Sequence, residues 1–142
     1  MFTPILIALF LGALLGVERT LAGKEAGLRT FSLVTVGACL FVLTGEQVTA
    51  LRPDIGYDPL RMASSIVTGI GFLGAGLIIF QHELKGLTTA AALWVASAVG
   101  TAVGFKLYAL ASFATFLTLL ILVGLWFVEH TIVRHIKSPT RE

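Results

Sequence analysis

The fold is decided by residues 87–128, where LTTAAALWVASAVGTAVGF (Leu87–Phe105) and LYALASFATFLTLLILVGLWFV (Leu107–Val128) are separated only by Lys106. A helix rises about 1.5 Å per residue, so crossing a hydrocarbon core of about 30 Å takes about 20 apolar residues. Both blocks approach that length, and neither contains a charged residue. We therefore predict two transmembrane helices joined by a tight hairpin at Lys106.

Three further apolar blocks lie upstream, at Phe2–Val17, Leu28–Leu43 and Met62–Phe80. Of the 142 residues, 56% are hydrophobic and only 13% are charged, with a mean hydropathy of +0.94. Soluble domains carry about 25% charged residues because much of their surface faces water. The sequence predicts an all-α, polytopic membrane helix bundle of about five transmembrane helices. We expect one transmembrane domain at residues 1–129 and a short basic cytoplasmic tail at 130–142.

The distribution of Lys and Arg predicts the orientation of the bundle. With the amino terminus outside, the inside segments carry seven basic residues: Arg19, Lys24, Arg29, Lys85, Arg134, Lys137 and Arg141. The outside segments carry three: Arg52, Arg61 and Lys106. Because positive residues favour the cytoplasmic side, we predict the amino terminus out and the carboxyl terminus in.

Composition also bears on the class of function. The net charge of +2 is small and its carriers are dispersed, so no nucleic-acid surface is expected. The single cysteine, Cys39, lies in an apolar block and is interpreted as a small packed residue. The sequence contains no recognisable nucleophile–base arrangement and no cofactor motif, so we predict neither an enzyme nor a cofactor.

Small residues predict where helices meet. In lipid there is little hydrophobic force between helices, so association depends on close contact at Gly, Ala, Ser and Thr. The pairs Gly12–Gly16 and Gly100–Gly104 have GxxxG spacing, and the fourth block is built largely from small residues. We expect the third and fourth spans in the centre of the bundle or at a subunit interface, and the leucine-rich fifth span outside. Much small-residue surface then remains to be buried, which predicts a homo-oligomer, with a dimer favoured.

The third block begins with a capping signal and ends with a glycine run. Asp58 can cap the helix, Pro59 suits its first turn, and Arg61 either reaches lipid headgroups or pairs inward with a carboxylate or a bound anion. The glycines of the run are Gly69, Gly71, Gly74 and Gly76. They predict either tight helix packing or a locally unwound helix that lines an ion or ligand site.

Charged residues predict a cluster near the membrane boundary. Glu18 is the acid expected at membrane depth, where a carboxylate needs a cation, and Arg19, Arg29 and Arg61 are the candidates. These charges form either a functional or structural cluster or a simple anchor at the membrane interface, and both interpretations stay open. Glu46, Asp54 and Asp58 crowd a loop that could attract a divalent cation, although a plain hydrated loop is the alternative. The metal is therefore unknown, with Asp54 and Asp58 as candidates.

Several motifs occur together in a characteristic order. They are Gly16-Val17-Glu18-Arg19, Gly27-Leu28-Arg29-Thr30, Arg61, the run Gly69–Gly76, Gly86-Leu87-Thr88-Thr89-Ala90-Ala91 and Trp94. Over roughly Leu11 to Tyr108 this pattern resembles the MgtC/SapB family of bacterial inner-membrane proteins. The resemblance implies about five spans and a cytoplasmic carboxyl terminus. It also marks Gly86, Thr88, Thr89 and Trp94 as part of the packing motif.

The resemblance further implies a function. It implies adaptation to low magnesium and, in pathogens, virulence-type survival inside host cells, with regulation of other membrane machinery such as the ATP synthase. Many members carry a soluble carboxyl-terminal domain, and we expect this chain to be a short form without it. The leading hypothesis is a multi-pass regulator in the bacterial inner membrane. The alternative is a small transporter or channel for magnesium or another ion, with its site at the glycine run and the charged cluster.

Overall fold

The computed structural model describes residues 2–54, 56, 58–81 and 83–136. Five helices account for most of this length: α1 (Thr3–Leu21), α2 (Leu28–Leu51), α3 (Pro59–Gly76), α4 (Leu87–Gly104) and α5 (Tyr108–Ile136). A short antiparallel hairpin of β1 (Ile79–Gln81) and β2 (Glu83–Lys85) joins α3 to α4. The predicted five-helix membrane bundle is confirmed, whereas its orientation stays a prediction.

Four stretches within the described residues are long and apolar enough to span a membrane: Thr3–Leu21, Leu28–Leu51, Leu87–Gly104 and Tyr108–Val128. Helix α3 is not among them, because Arg61 and its serines, threonine and glycines lower its hydropathy. The third apolar block, Met62–Phe80, is not helical to its end, since α3 stops at Gly76. Its last apolar residues form a strand, and an apolar run of that length does not distinguish strand from helix.

Glycines let α1 and α4 both pack closely against α2, around Thr35. A Cβ added at Gly12 would lie 2.5 Å from Thr35 Oγ1, and one added at Gly104 would lie 2.6 Å from Val42 Cβ. Gly100 faces the backbone of Thr35, so this threonine, which is fully buried, sits between two helices. The two GxxxG pairs therefore let the backbones approach closely, as small residues do in membrane bundles.

The fourth helix is the centre of the bundle, and the fifth lies outside it. Ten of the 18 residues of α4 are buried. In contrast, α5 buries a narrow stripe at Ala111, Thr115, Thr118 and Leu122, and its large apolar side chains face outward. The fifth span thus has the outside position that its leucine-rich sequence predicts.

Helix α3 occupies an unexpected position. It packs on α4 and α2, but it buries only Ile70 and Gly74. The expectation that the third span lies in the centre of the bundle is therefore wrong for the single chain, since α2 takes that place beside α4. The alternative expectation, that this helix lies at a subunit interface, stays open.

The turn from α4 to α5 is as tight as predicted. Lys106 adopts a left-handed conformation with φ of 63°, which reverses the chain within three residues. Its ammonium group forms an ion pair with Glu46 of α2, at 2.8 Å. We call this end of the molecule, with the α2–α3 loop, the Lys106 end. The opposite end, with the α1–α2 turn and the β1–β2 hairpin, is the hairpin end.

Candidate functional site

The hairpin end holds a buried ion pair between neighbouring residues of α1. The guanidinium of Arg19 donates from Nε to Glu18 Oε2 and from Nη2 to Glu18 Oε1, the latter at 2.6 Å. Arg19 is only 4% exposed, and the Glu18 side chain is 16% exposed. This two-point geometry orients the guanidinium group and gives the largely buried carboxylate the cation that it needs.

The other two arginines of the predicted cluster lie elsewhere. Arg29 is at the start of α2, at the same end as Glu18, but it is exposed and makes no ion pair with any described residue. Arg61 begins α3 at the Lys106 end, about 22 Å along the helix from Gly76. The predicted four-residue cluster is therefore reduced, within one chain, to Glu18 and Arg19.

Within the single chain, the glycine run is neither unwound nor tightly packed, so packing against another chain stays a prediction. The chain stays helical through Gly76, so the interpretation as an unwound helix does not hold. Only Gly74 has a close neighbour, with its added Cβ 3.8 Å from Ala90 Cβ. A Cβ added at Gly69, Gly71 or Gly76 would meet nothing within 4 Å. Most of the run is consequently open rather than packed inside the chain.

Gly86, the first residue of the predicted packing motif, has a structural role within the single chain. Gly86 has φ of 87°, and an added Cβ would collide with the carbonyl oxygen of Leu77. Glycine is required here because other residues rarely adopt this conformation and a side chain has no room. Thr89 is buried at the start of α4, whereas Thr88 is exposed and Trp94 is 48% exposed.

The acidic residues of the Lys106 end all have protein partners. Asp58 Oδ1 accepts a hydrogen bond from the backbone N–H of Leu60 at 2.9 Å, which confirms the predicted cap of α3. Asp54 accepts two hydrogen bonds from Arg52, and these hold the pKa of the Asp54 carboxyl below its usual value. No group of three metal-binding side chains occurs among the residues that the structure describes.

Two cavities open on different faces of the bundle. The first, of about 580 Å³, is a groove between α2 and α3 whose lining includes Gly37, Phe41, Ser65, Gly69 and Leu73. Its walls are almost wholly apolar. Gly37 is the further open glycine that sequence reasoning missed, since a Cβ added there also meets nothing within 4 Å. No local signal marks it, because its exposure depends on which face of α2 the other helices cover.

The second cavity, of about 970 Å³, lies at the hairpin end between α1, α5 and the first turn of α4. Glu18, Arg19, Lys24 and Thr88 line its polar part. The remaining walls are apolar and come mainly from the second half of α5, including Leu122 and Trp126. The two cavities share no lining residue.

A family model described as the MgtC family matches residues 5–131, which is most of the chain. The chain belongs to the MgtC family. Membership agrees with the four membrane-capable helices among the described residues.

Curated members of the MgtC family extend this comparison. The chain is 43% identical over 122 residues, 83% of its length, to the "Putative magnesium transporter YhiD" of Escherichia coli K12, of which it covers 56%. It is 38% identical over 130 residues, 84% of its length, to the protein SrpB of Synechococcus elongatus, of which it covers 71%. It is 45% identical over 109 residues, 76% of its length, to the protein MgtC of Brucella abortus, of which it covers 44%.

The chain thus spans about half the length of YhiD and of the Brucella MgtC protein. No solved structure matches it. The activity and partners of those longer relatives are therefore proposals for this chain.

Proposed function

We propose that this chain is a non-enzymatic regulatory protein of the bacterial inner membrane. It acts in adaptation to low magnesium by binding a transmembrane helix of another membrane protein in the groove between α2 and α3. Membership of the MgtC family and the name of its relative YhiD, a putative magnesium transporter, support the connection with magnesium. The geometry of the glycines supports the mode of action.

The supporting observation is that the glycines of this chain divide into two sets. Gly12, Gly16, Gly100 and Gly104 are filled by neighbouring helices, with added Cβ atoms at 2.6 Å or less from protein atoms. Gly37, Gly69, Gly71 and Gly76 meet nothing. A helical glycine costs up to about 1 kcal/mol in helix propensity relative to alanine, so an unfilled glycine brings no compensating contact within the chain. A helix from outside that lies in the groove would supply that contact at Gly37 and Gly69, the two of these glycines that line it.

The groove has the surface that such a helix requires. Gly37 and Gly69 face it from two sides and allow a close backbone approach. Its hydroxyls are already satisfied, since Ser65 donates to the carbonyl of Arg61 at 3.0 Å and Ser97 donates to that of Trp94 at 2.8 Å. The surface therefore favours an apolar occupant held by packing. Two occupants fit this description: a helix of the ATP synthase membrane sector and a second copy of this chain. The crosslinking test below distinguishes them.

The test uses a photo-reactive amino acid at Leu73, which lines the groove, with the same residue at Phe116 of α5 as the control. Both side chains are at least half exposed. We expect a discrete membrane-protein crosslink from position 73 and none from position 116. Gly69→Leu fills the groove and should abolish both the crosslink and growth support at low magnesium. Gly124→Leu, which adds bulk to the outward helix α5, should leave both unchanged.

Wild-type crosslinking and growth in the Gly69→Leu variant would refute the proposal. A crosslink only between copies of the chain, with growth still lost, would identify self-association as the event at this groove and would exclude a foreign helix.

A transporter is the second candidate, because the relative YhiD is named as a putative magnesium transporter. It predicts magnesium influx into liposomes loaded with a magnesium-sensitive dye, with loss of flux in Arg61→Ala or Glu18→Gln. Flux that requires these residues would favour transport over regulation. Dye signals equal to those of protein-free liposomes, from inserted and folded protein, would exclude it.

A further inference from the structure

The cavity at the hairpin end has an unusual chemical composition. Arg19 is 4% exposed, yet it lines a cavity of about 970 Å³. A guanidinium has five N–H donors, and the bonds to Glu18 use two of them. Within the described part of the chain, no protein acceptor is bonded to the other three. Buried donors are normally paired, so this arrangement calls for an acceptor from outside the chain.

Charge defines the kind of acceptor. Arg19 and Lys24 are the basic residues of the described lining, and Glu18 is its acid, which leaves one net positive charge. The single carboxylate is already engaged by Arg19, so a cationic ligand would find no free partner there. A phosphate oxygen suits the remaining donors, because an arginine fork and a lysine ammonium both bind phosphate well.

The shape of the cavity identifies the source of that phosphate. Beyond the polar residues, its walls are apolar side chains of α1 and α5, including Leu14, Val17 and Leu122. Val17 and most of the lining residues of α5 are also exposed on the outer surface of the bundle, toward lipid. The polar part is at the helix end, where headgroups lie, and the apolar part runs toward the membrane interior. A free anion would leave this long apolar wall uncovered.

We propose that this cavity binds one anionic phospholipid, with its phosphodiester held by Arg19 and Lys24 and an acyl chain lying along α5. The net charge of the site favours a headgroup such as phosphatidylglycerol over a zwitterionic one, whose ammonium finds no unpaired acid in the described lining of the cavity. Thr88, at the start of α4, adds a hydroxyl at the polar end. The site is separate from the α2–α3 groove and does not depend on the proposed partner.

The chain carries a reporter for this lipid. Trp126 lines the cavity, and Trp94 is the other of its two tryptophans. Trp94→Phe therefore leaves a single emitter beside the proposed acyl chain. In that background, the full chain is reconstituted in phosphatidylcholine vesicles that contain a rising fraction of phosphatidylglycerol. Either lipid is brominated on its chains so that it quenches tryptophan on contact.

We expect brominated phosphatidylglycerol to quench Trp126 at a several-fold lower mole fraction than brominated phosphatidylcholine. Lys24→Gln should reduce this preference about fivefold, the effect of one basic residue near a membrane surface. Arg29→Gln removes the same charge from the same end of the bundle, outside the cavity, and should change the preference less than twofold. Arg19→Lys keeps a charge beside Glu18 but loses the fork, and should reduce the preference at least as much as Lys24→Gln.

Equal quenching by both lipids would overturn the proposal. Equal losses in Lys24→Gln and Arg29→Gln would also overturn it, because general surface charge would then explain the preference. Full reversal of the quenching by millimolar glycerol phosphate would assign the site to a free anion instead of a lipid. Lys24 is exposed, so the Lys24→Gln comparison stands even if the Arg19 variant fails to fold.

Discussion

Gly100→Ala tests whether the filled glycines hold the bundle together. An added Cβ would collide with the carbonyl of Thr35, and the carbonyl carbon would be 2.8 Å away. Both groups are backbone atoms of fully helical segments, so no side chain can rotate out of the way. Helices α2 and α4 must therefore separate. Overpacking of this kind costs about 1 to 3 kcal/mol, and we expect about 2 kcal/mol for this rigid contact.

The matched control is Gly69→Ala on α3. Its Cβ enters open space, so the substitution adds helix propensity without a collision. We expect it to be neutral or to stabilise the protein by up to about 1 kcal/mol. The two variants make the same chemical change and differ only in whether a neighbour fills the glycine. Their difference in free energy of unfolding is therefore the quantity to measure.

The assay uses Cys39, the single cysteine of the chain, which is fully buried in α2 beside Gly104. A thiol-reactive dye labels it only when the bundle opens, so the labelling rate in mild detergent reports the opening equilibrium. A loss of about 2 kcal/mol raises the open population about 30-fold. Labelling of Gly100→Ala at the wild-type rate, with faster labelling of Gly69→Ala, would refute the division of the glycines into filled and open sets.

Three further predictions concern single contacts. Gly86→Ala should lower the yield of folded protein in detergent, because it combines a left-handed φ of 87° with a collision at Leu77, and size-exclusion chromatography would show the loss. Asp58→Ala removes the cap of α3 and should cost about 1 kcal/mol, whereas Asp58→Asn should restore most of it; unchanged unfolding of Asp58→Ala would contradict the cap. The hydrogen bond to Glu46 raises the pKa of Lys106, so the stabilising contribution of the pair is present below about pH 10.4 and is lost as the pH rises through the raised pKa. The melting temperatures of wild type and Lys106→Gln should therefore differ at pH near 8 and converge in strong alkali, and a constant difference would count against the ion pair.

Sequence reasoning predicted most of the bundle because membrane spans and GxxxG pairs are local signals. Residues four apart share a helix face, so the pairs at Gly12 and Gly100 could be recognised as packing surfaces without knowing their partner. The partner, Thr35, could not be predicted, because α2 carries no comparable motif. The hairpin after Gly76 was missed for a related reason, since hydropathy alone does not separate a short apolar strand from a helix end.

The candidate site was predicted only in part. Which residues line it depends on which helix faces pack together in the fold. The sequence offered three arginines for Glu18, and the structure pairs it with the adjacent one. The pairing follows from proximity in the fold, since Arg61 lies in the first turn of α3 at the opposite end of the bundle. Lys24 and Trp126 carried no sequence signal at all, because they come together only when α5 packs beside α1. The glycine run was recognised, but glycine suits a buried contact and an intermolecular one equally well.

The distribution of polar groups is one reason for proposing regulation before transport. Ionisable side chains inside a membrane mark ion pathways because they are costly to keep there. In the described part of this chain the charged side chains lie at the two ends, with Glu18 and Arg19 at one and Glu46 and Lys106 at the other. Between them, Thr35 and Thr115 are buried, and each donates to a carbonyl of its own helix at 2.8 Å and 2.9 Å. Each hydroxyl proton is thus paired within its own helix, whereas the groove between α2 and α3 presents an open and almost wholly apolar surface, which is the surface that the proposed regulation uses.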